Sequence, residues 1–191
     1  MSAENSLPIR STGLDWLPAL EHPELLAPAT AAALRAWAGT EPELASSALV
    51  AEIDPELADT ATLTEAFGLE LEVSCNCVLV EGRRAGEERL AGVVVRATTR
   101  ADVNKVVRRL LDVRKATFQA VEEATASTGM EYGGITPVGL PETYRVLIDS
   151  RVRDGGPALV GSGVRRSKLL LPGELLARMP GVEVVEGLAL A

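Results

Sequence analysis

Residues 132–141 read YGGITPVGLP, so three glycines and two prolines stand within ten consecutive positions. Glycine permits positive φ and a close approach of backbone to ligand, whereas proline fixes φ and removes a hydrogen-bond donor. This composition predicts a loop of one defined shape with accessible amides, in which Thr136 is the only aliphatic hydroxyl. An ordinary turn before a strand has the same composition, so the flanking sequence has to separate the two interpretations.

The residues flanking this segment, hereafter the glycine loop, predict regular structure on both sides. Apolar positions at Phe118, Val121 and Ala124 predict a helix that ends at Gly129. The run from Tyr144 to Asp149 predicts a strand. Ligand loops in α/β folds commonly join such elements, which favours a functional loop.

The rest of the chain alternates predicted strands and helices. Two Val-rich runs, 73–80 and 90–97, flank a polar turn at 82–86 and predict an antiparallel hairpin. The apolar residues of 103–111 repeat at i, i+3, i+4, i+7 and i+8, which predicts a helix with one buried stripe. Further strands are predicted at 48–53, 113–117, 158–161, 168–171 and 182–185, and further helices at 62–67 and 172–179.

The length of 191 residues suffices for one domain with a substantial core, which must be aliphatic because aromatics make up only 3%. A helix predicted at 29–38 ends at Gly39 and would dock through Leu34 and Trp37. We therefore predict an N-terminal helical extension over residues 1–40 and a mixed α/β domain over residues 41–191.

Residues 133–140 resemble the signature loop of the YbaK/EbsC family, relatives of the editing domain of bacterial prolyl-tRNA synthetases. Asp149 and Gly163, the latter within the GSGVRR motif of 161–166, resemble the two later landmarks of that family in order and spacing. The resemblance runs from about residue 47 to 186. It implies a single compact α+β domain with a curved, mixed, largely antiparallel, barrel-like sheet surrounded by helices, and it implies aminoacyl-tRNA deacylase activity.

The family hydrolyses the ester that joins a wrong amino acid to the terminal adenosine of a tRNA. The backbone amides of Gly133 and Gly134 and the Thr136 hydroxyl are suited to holding the developing oxyanion. The chain offers no Ser-His-Asp or Cys-His set, which argues against a covalent mechanism. The positions predicted to contact substrate are Pro137, Gly139, Asp149, Ser162 and Gly163. Asp149 and Ser162 are equally suited to a helix cap and a turn.

Asn76 stands where most of the family carries a lysine on the first strand of the hairpin. Its amide donates hydrogen bonds but carries no charge, so it forms weaker bonds than an ammonium. Strand alternation places Asn76 and Val78 on one face and Cys75 and Cys77 on the other. Catalysis therefore depends on a neutral donor at Asn76, or the chain keeps the pocket as a binding module without hydrolysis.

The formal net charge of −8 argues against tight binding of DNA or other long nucleic acid. Basic residues nevertheless concentrate between 96 and 115 and again at Arg165, Arg166 and Lys168. Two interpretations of these clusters are equally favoured. They are either ordinary solvated surface or a rim that contacts the acceptor end of a mischarged tRNA. The predicted tRNA contacts are Arg100, Lys105, Arg108, Arg109, Arg165 and Arg166.

The remaining features predict no cofactor and no metal. Cys75 and Cys77 are the only cysteines, and His22 is the only histidine. No run of 18 uncharged apolar residues and no signal pattern at 1–10 is present, so we expect a cytoplasmic protein without a membrane span. The sequence leaves open the amino acid removed, the tRNA, and whether the protein is a monomer or a homodimer.

Overall fold

Two main β-sheets and a short third one form the framework of this computed structural model, which describes residues 13–191. The first twelve positions of the predicted extension lie outside the described residues. In chain order the strands are β1 (Leu17–Pro18), β2 (Leu49–Glu52), β3 (Cys75–Arg84), β4 (Glu87–Arg96), β5 (Arg100–Ala101), β6 (Ala116–Phe118), β7 (Tyr144–Asp149), β8 (Pro157–Gly161), β9 (Ser167–Pro172), β10 (Val182–Val185) and β11 (Ala189–Leu190). The α-helices are α1 (Pro28–Ala38), α2 (Leu44–Ser47), α3 (Thr60–Phe67), α4 (Arg108–Leu110), α5 (Val121–Thr128), α6 (Ser150–Asp154) and α7 (Gly173–Leu176).

The larger sheet has the order β10-β7-β4-β3-β6, in which β4, β7 and β10 are parallel and β3 is antiparallel to both its neighbours. The second sheet, β1-β2-β9-β8, is antiparallel throughout, and β5 pairs with β11. The predicted mixed α/β fold and the central β3–β4 hairpin are confirmed. Within residues 13–191 the strands divide among separate sheets and do not close into a barrel.

The core is aliphatic and lies on both faces of the larger sheet. On one face, Val80, Val93 and Val95 pack against the helical segment that begins at Val103. The opposite face packs against the second sheet and α1, and includes Val94 and Ile148. A 20-kDa chain with few aromatic side chains thus fills its interior with Val, Leu and Ile.

The segment after β5 follows the predicted apolar stripe but begins as a π-helix over Val103–Val107 and becomes α-helical only at Arg108. The carbonyl oxygen of Asp102 accepts from Val107 N–H at 3.0 Å, which is the wider i→i+5 turn. The carboxylate of Asp102 caps the segment by accepting from Lys105 N–H. The predicted outward-facing Lys105, Arg108 and Arg109 are exposed.

Several predicted element boundaries differ from the structure. The strand predicted at 113–117 is β6 at Ala116–Phe118, and α7 covers only Gly173–Leu176 of the helix predicted at 172–179. Strand β3 continues through the predicted turn to Arg84, which leaves a tight turn at Ala85 and Gly86 with φ of 52° and 86°. Helix α3 begins at Thr60 rather than at the capping-box pattern two residues later. Phe118 belongs to β6 because its backbone pairs with Val80, and helix α5 starts only afterwards.

The segment before residue 40 packs closely on the rest of the chain. Leu34 and Trp37 of α1 are buried in the main core. At the N-terminal end of α1, Thr30 Oγ1 donates to the Val138 carbonyl of the glycine loop at 3.1 Å. The division at residue 40 therefore stays a prediction about domain boundaries. No helix within residues 13–191 has the length and apolar character to cross a bilayer.

Candidate functional site

A cleft of about 320 Å³ opens where the N-terminal end of β3, strands β8 and β9, helix α3 and the glycine loop meet. The cleft lies along the edge of β3 on the N-terminal side of Val80, the first β3 residue that pairs with β6. Because this part of the edge is open, β3 residues from both faces of the strand border the cleft. The lining consists of Ala58, Asp59, Thr60, Leu63, Ser74, Cys75, Asn76, Cys77, Val78, Tyr132, Gly133, Ile135, Leu159, Val160, Gly161 and Lys168. Mainly apolar side chains therefore surround a few polar groups.

The glycine loop is locked to a second loop, residues 161–167. Gly163 N–H donates to the Gly134 carbonyl at 2.7 Å, and Glu131 N–H donates to the Gly163 carbonyl at 2.9 Å. A Cβ on Gly134 would stand 2.5 Å from the Val164 backbone, so only glycine permits this contact. The Gly134 amide donates to the Glu131 carbonyl at 2.9 Å and is engaged within the loop, whereas Gly133 lines the cleft.

Most other predicted residues of the two loops lie beneath the cleft. Thr136 is fully buried, and its hydroxyl lies 3.5 Å from Val138 N–H. Pro137 is also buried, and Gly139 lies against the backbone of Ala29 in α1. None of these residues lines the cleft, and their contacts shape the glycine loop from behind.

Ser162 and Gly163 form the turn of the second loop. The Ser162 hydroxyl donates to the Ser167 carbonyl at 3.0 Å, and Gly163 adopts φ of 86° against Ala27. Neither residue borders the cleft. Their observed contacts hold the second loop against the glycine loop.

Asp149 lies at the C-terminal end of β7 and is 1% exposed. Its carboxylate accepts from the N–H groups of Arg151 at 2.9 Å and Ala189 at 2.8 Å, and from the Arg151 guanidinium at 3.0 Å. These bonds cap the N-terminal end of α6 and hold the backbone of β11 at Ala189. Of the two interpretations of Asp149, its contacts are those of a helix cap.

Asn76 borders the cleft from β3, and its Oδ1 accepts a hydrogen bond from the Thr60 hydroxyl at 3.1 Å. This bond leaves the two N–H donors of the amide for other partners. Cys75 and Cys77 also border the cleft, but burial raises the pKa of these thiols to about 11 and about 12. Both thiols stay protonated near neutral pH, as suits small apolar side chains.

Lys168 is a further polar residue of the cleft, and its sequence context indicated only membership of a basic cluster. It lies on β9 opposite Gly161 and is 8% exposed. Its ammonium donates to the carbonyl oxygens of Ala58 at 2.6 Å and Gly133 at 3.2 Å. Burial lowers the pKa of Lys168 to about 8, while the Asp59 carboxylate acts in the opposite direction. The sequence feature that could have identified Lys168 as a buried residue is its position in a leucine-rich predicted strand, SKLLLP at 167–172.

The sequence profile of the aminoacyl-tRNA editing domain matches residues 54–179, more than half of the chain. The chain belongs to the aminoacyl-tRNA editing domain family. The match includes the glycine loop, the second loop and every residue that lines the cleft. A comparison with curated proteins gives no significant match.

Solved structures share the editing-domain fold at low sequence identity. A candidate trans-editing enzyme for prolyl-tRNA synthetase is 19% identical, covers 84% of this chain and 97% of its own, and superimposes with a TM-score of 0.65. A hypothetical protein, APE2540, is 18% identical, with coverage of 74% and 90% and a TM-score of 0.64. At these identities the likeness establishes the fold alone.

The rim of the editing-domain cleft carries one of the predicted tRNA contacts. Arg165 lies 3.9 Å from the Asp59 carboxylate, and its guanidinium carbon is 5.8 Å from the centroid of the Tyr132 ring. Arg166 turns away and pairs with Glu52. The other predicted contacts, Arg100, Lys105, Arg108 and Arg109, are exposed and do not line the cleft.

Ser74 supplies a further polar group to the editing-domain cleft. Its hydroxyl is buried and has no hydrogen-bond partner among the described residues. An unsatisfied buried hydroxyl costs about 1–3 kcal/mol, so such groups usually bind water or a ligand. No group of three or more His, Cys, Asp or Glu within residues 13–191 is arranged to hold a metal ion.

Proposed function

We propose that this protein is an aminoacyl-tRNA deacylase that acts in trans and removes a small, wrongly attached amino acid from the acceptor end of a tRNA. The observation that carries the proposal is the cleft of an editing-domain protein in which the free amide donors of Asn76 and the backbone of Gly133 border one small space. The trans-editing description of a solved relative of the same fold supports it.

The proposed reaction is hydrolysis of an ester by water. Water adds to the carbonyl carbon, the bond to the ribose oxygen breaks, and the proton from water passes to that oxygen. The amide of Asn76 donates to the carbonyl oxygen, and this bond strengthens as negative charge develops. The glycine loop brings backbone close to the ester and holds it in a reactive orientation.

The size of the cleft favours a small amino acid. Its volume of about 320 Å³ has to hold the amino acid and part of the terminal ribose. Leu63, Val78 and Ile135 narrow it with branched side chains. A pocket excludes a larger side chain sterically more strongly than it rejects a smaller one, so an editing site of this size spares bulky, correctly attached amino acids.

A specific observation favours the alternative that the protein is a binding module. The strand position that carries a lysine in most of the resembled family is Asn76, which has no charge. In that case the cleft binds the aminoacyl end of a tRNA and does not hydrolyse it.

A panel assay separates the two functions. Deacylation of tRNAs charged with glycine, alanine, serine, cysteine, valine and phenylalanine is measured alongside binding of the same tRNAs. We expect turnover of one or more of the small aminoacyl esters and none of phenylalanine. Binding without turnover anywhere in the panel would favour the binding module, and absence of both would refute the deacylase proposal.

We propose that the exposed basic face of Lys105, Arg108 and Arg109 contacts the tRNA backbone. The double variant Arg108→Glu/Arg109→Glu should weaken tRNA binding because phosphate contacts are lost. Each lost contact should also make the decrease of log affinity with log salt shallower by about 0.7–0.9. Salt titrations of tRNA binding measure this slope. Arg35→Glu/Arg178→Glu is the control, since it changes the net charge equally at positions outside this face. A native slope in the first variant would identify this face as solvated surface.

A further inference from the structure

We propose that Lys168 is the charged donor of the cleft and binds the acyl oxygen of the substrate through its ammonium group. The proposal rests on the proposed deacylase function. It adds a charged donor from β9 to the donors that the sequence suggests for this oxygen, which are Asn76 of β3 and the glycine loop. Three features carry it, namely where Lys168 lies, what it bonds, and which of its donors remains free.

The fold places Lys168 in the cleft by strand pairing. On β9, Lys168 shares a face with Leu170, and its cross-strand neighbours are Ala51 and Gly161. Gly161 has no side chain, and the glycine loop passes directly across it. The lysine side chain therefore reaches between the glycine loop and the start of α3, and it borders the cleft at that point.

The ammonium is held by the two structures that form opposite walls of the cleft. One N–H donates to Ala58, just before α3, and another donates to Gly133 in the glycine loop. An ammonium has three N–H donors. Within residues 13–191 the ammonium forms only these two hydrogen bonds, so the third donor remains available to a ligand in the cleft.

Burial of a charge is costly unless a function or a partner compensates for it. Lys168 has no carboxylate within ion-pair distance among the described residues, and its two partners are neutral carbonyl groups. Ser74, whose buried hydroxyl has no hydrogen-bond partner among the described residues, is one of the residues of the same cleft. A buried ammonium with a free donor at the wall of a cleft indicates a site that receives an oxygen acceptor from a ligand.

The acyl oxygen is the acceptor that agrees best with this position. The α-amino group of an aminoacyl ester is a cation, and it would be repelled by Lys168 but attracted to the Asp59 carboxylate at the cleft border. The acyl oxygen becomes an anion in the transition state, and a charge-assisted bond is about twice as strong as a neutral one. Lys168 gives up no proton in the step, because the proton from water goes to the ribose oxygen.

The ionisation of Lys168 predicts a pH dependence of ligand binding. A lysine with a purely structural role would not produce this dependence. The charged groups facing it are Asp59 and Arg165, and the thiols of Cys75 and Cys77 stay neutral. Because burial lowers the pKa of Lys168 to about 8, the ammonium predominates below pH 8 and is lost above it. Binding of an acyl oxygen should weaken over the same range.

The experiment compares two nucleosides, 3′-acetamido-3′-deoxyadenosine and 3′-deoxyadenosine, by calorimetry between pH 6.5 and 9.5. They differ by the acetamido group, which supplies the acyl oxygen, and neither carries an α-amino group that titrates in this range. We expect the native protein to bind the acetamido compound about tenfold more tightly at pH 6.5 and to lose this preference by pH 9.5.

Three variants complete the test. Lys168→Met should show no preference at any pH and a deacylation rate lower by about 10²-fold. Lys168→Arg, which stays charged, should keep a preference at pH 9.5. Arg35→Met removes an exposed positive charge outside the cleft and outside the proposed tRNA-binding face, and should behave as the native protein.

A preference that is absent from the native protein, that does not change with pH, or that persists in folded Lys168→Met would overturn the assignment. A loss of affinity for adenosine 5′-monophosphate but not for the acetamido compound in Lys168→Met would point to a phosphate site and also overturn it. If Lys168→Met does not fold, the pH dependence of the native protein and of Lys168→Arg decides. Absence of turnover across the tRNA panel with the pH-dependent preference intact would refute the deacylase proposal and leave the role of Lys168 standing.

Discussion

Gly134→Ala is expected to lower the deacylation rate by about 10²-fold and to destabilise the protein. The added Cβ would stand 2.5 Å from the carbonyl carbon and oxygen of Val164, and these are backbone atoms that no rotamer change can remove. Accommodation requires the glycine loop and the second loop to separate. Overpacking of this kind costs about 1–3 kcal/mol of folding free energy.

The loss of activity follows from the same displacement. The hydrogen bond from Gly163 to the Gly134 carbonyl joins the two loops, and the adjacent Gly133 carbonyl accepts from Lys168. A shift of the glycine loop by about 1 Å would disturb the cleft wall, and displacements of that size cost about 10²-fold in rate. Thermal unfolding and single-turnover deacylation measure the two effects.

Gly129→Ala is the matched control because it lies just before the glycine loop. Gly129 has φ of 67°, and apart from its chain neighbours no heavy atom of the described residues lies within 4 Å of the position that an alanine Cβ would take. Alanine there strains the backbone without a collision. We expect a cost of about 1–2 kcal/mol for the left-handed conformation and a native rate. A stable Gly134→Ala protein with native turnover would contradict the two-loop arrangement.

The sequence predicted those features whose signals are local. The glycine loop, the β3–β4 hairpin, strands β7 and β10 and the apolar stripe after β5 each follow from residues close together in the chain. The resemblance in residues 133–140, together with Asp149 and Gly163, led to the family that the profile match confirms. Local pattern and family motif therefore determined the fold class.

The composition of the cleft depended on contacts that local pattern does not encode. In the sequence, Lys168 is the last of three basic residues within positions 165–168, and only the pairing of β9 with β8 and the crossing of the glycine loop place it inside. Gly134 was expected to approach a ligand, but its neighbour is Val164, thirty residues further along the chain. Such long-range juxtapositions need the tertiary structure.

The segment before residue 40 illustrates the same limit. The editing-domain profile begins at residue 54, yet α1 supports both loops of the cleft. Thr30 donates to Val138, and Ala27 N–H donates to the Ser162 carbonyl at 3.1 Å. Sequence pattern identified the helix correctly, whereas its support of the two loops appears only in these contacts.

Asn76→Ala is expected to lower the deacylation rate by about 10²-fold, the effect typical of removing one preorganised donor to a developing oxyanion. Asn76 borders the cleft, and its Oδ1 is fixed by the Thr60 hydroxyl, which orients the amide donors. Thr60→Val removes this orienting bond but leaves the amide, so we expect a smaller loss, of about tenfold. Rates are measured under single-turnover conditions, and tRNA affinity is measured in parallel.

Asn76→Lys tests whether a lysine at the family position restores or disrupts the site. It places a second ammonium in a cleft of about 320 Å³ that already contains Lys168, and the two like charges repel in a partly desolvated space. We therefore expect lower turnover than in the native protein and a lower unfolding temperature, since an unpaired buried charge costs several kcal/mol. Higher turnover in folded Asn76→Lys would show that the native cleft lacks a charged donor, and a native rate in Asn76→Ala would exclude the amide from the reaction. If only affinity changes in Asn76→Ala and no variant shows turnover, the cleft is a binding site, and Lys168 then serves to bind the acyl oxygen without promoting its hydrolysis.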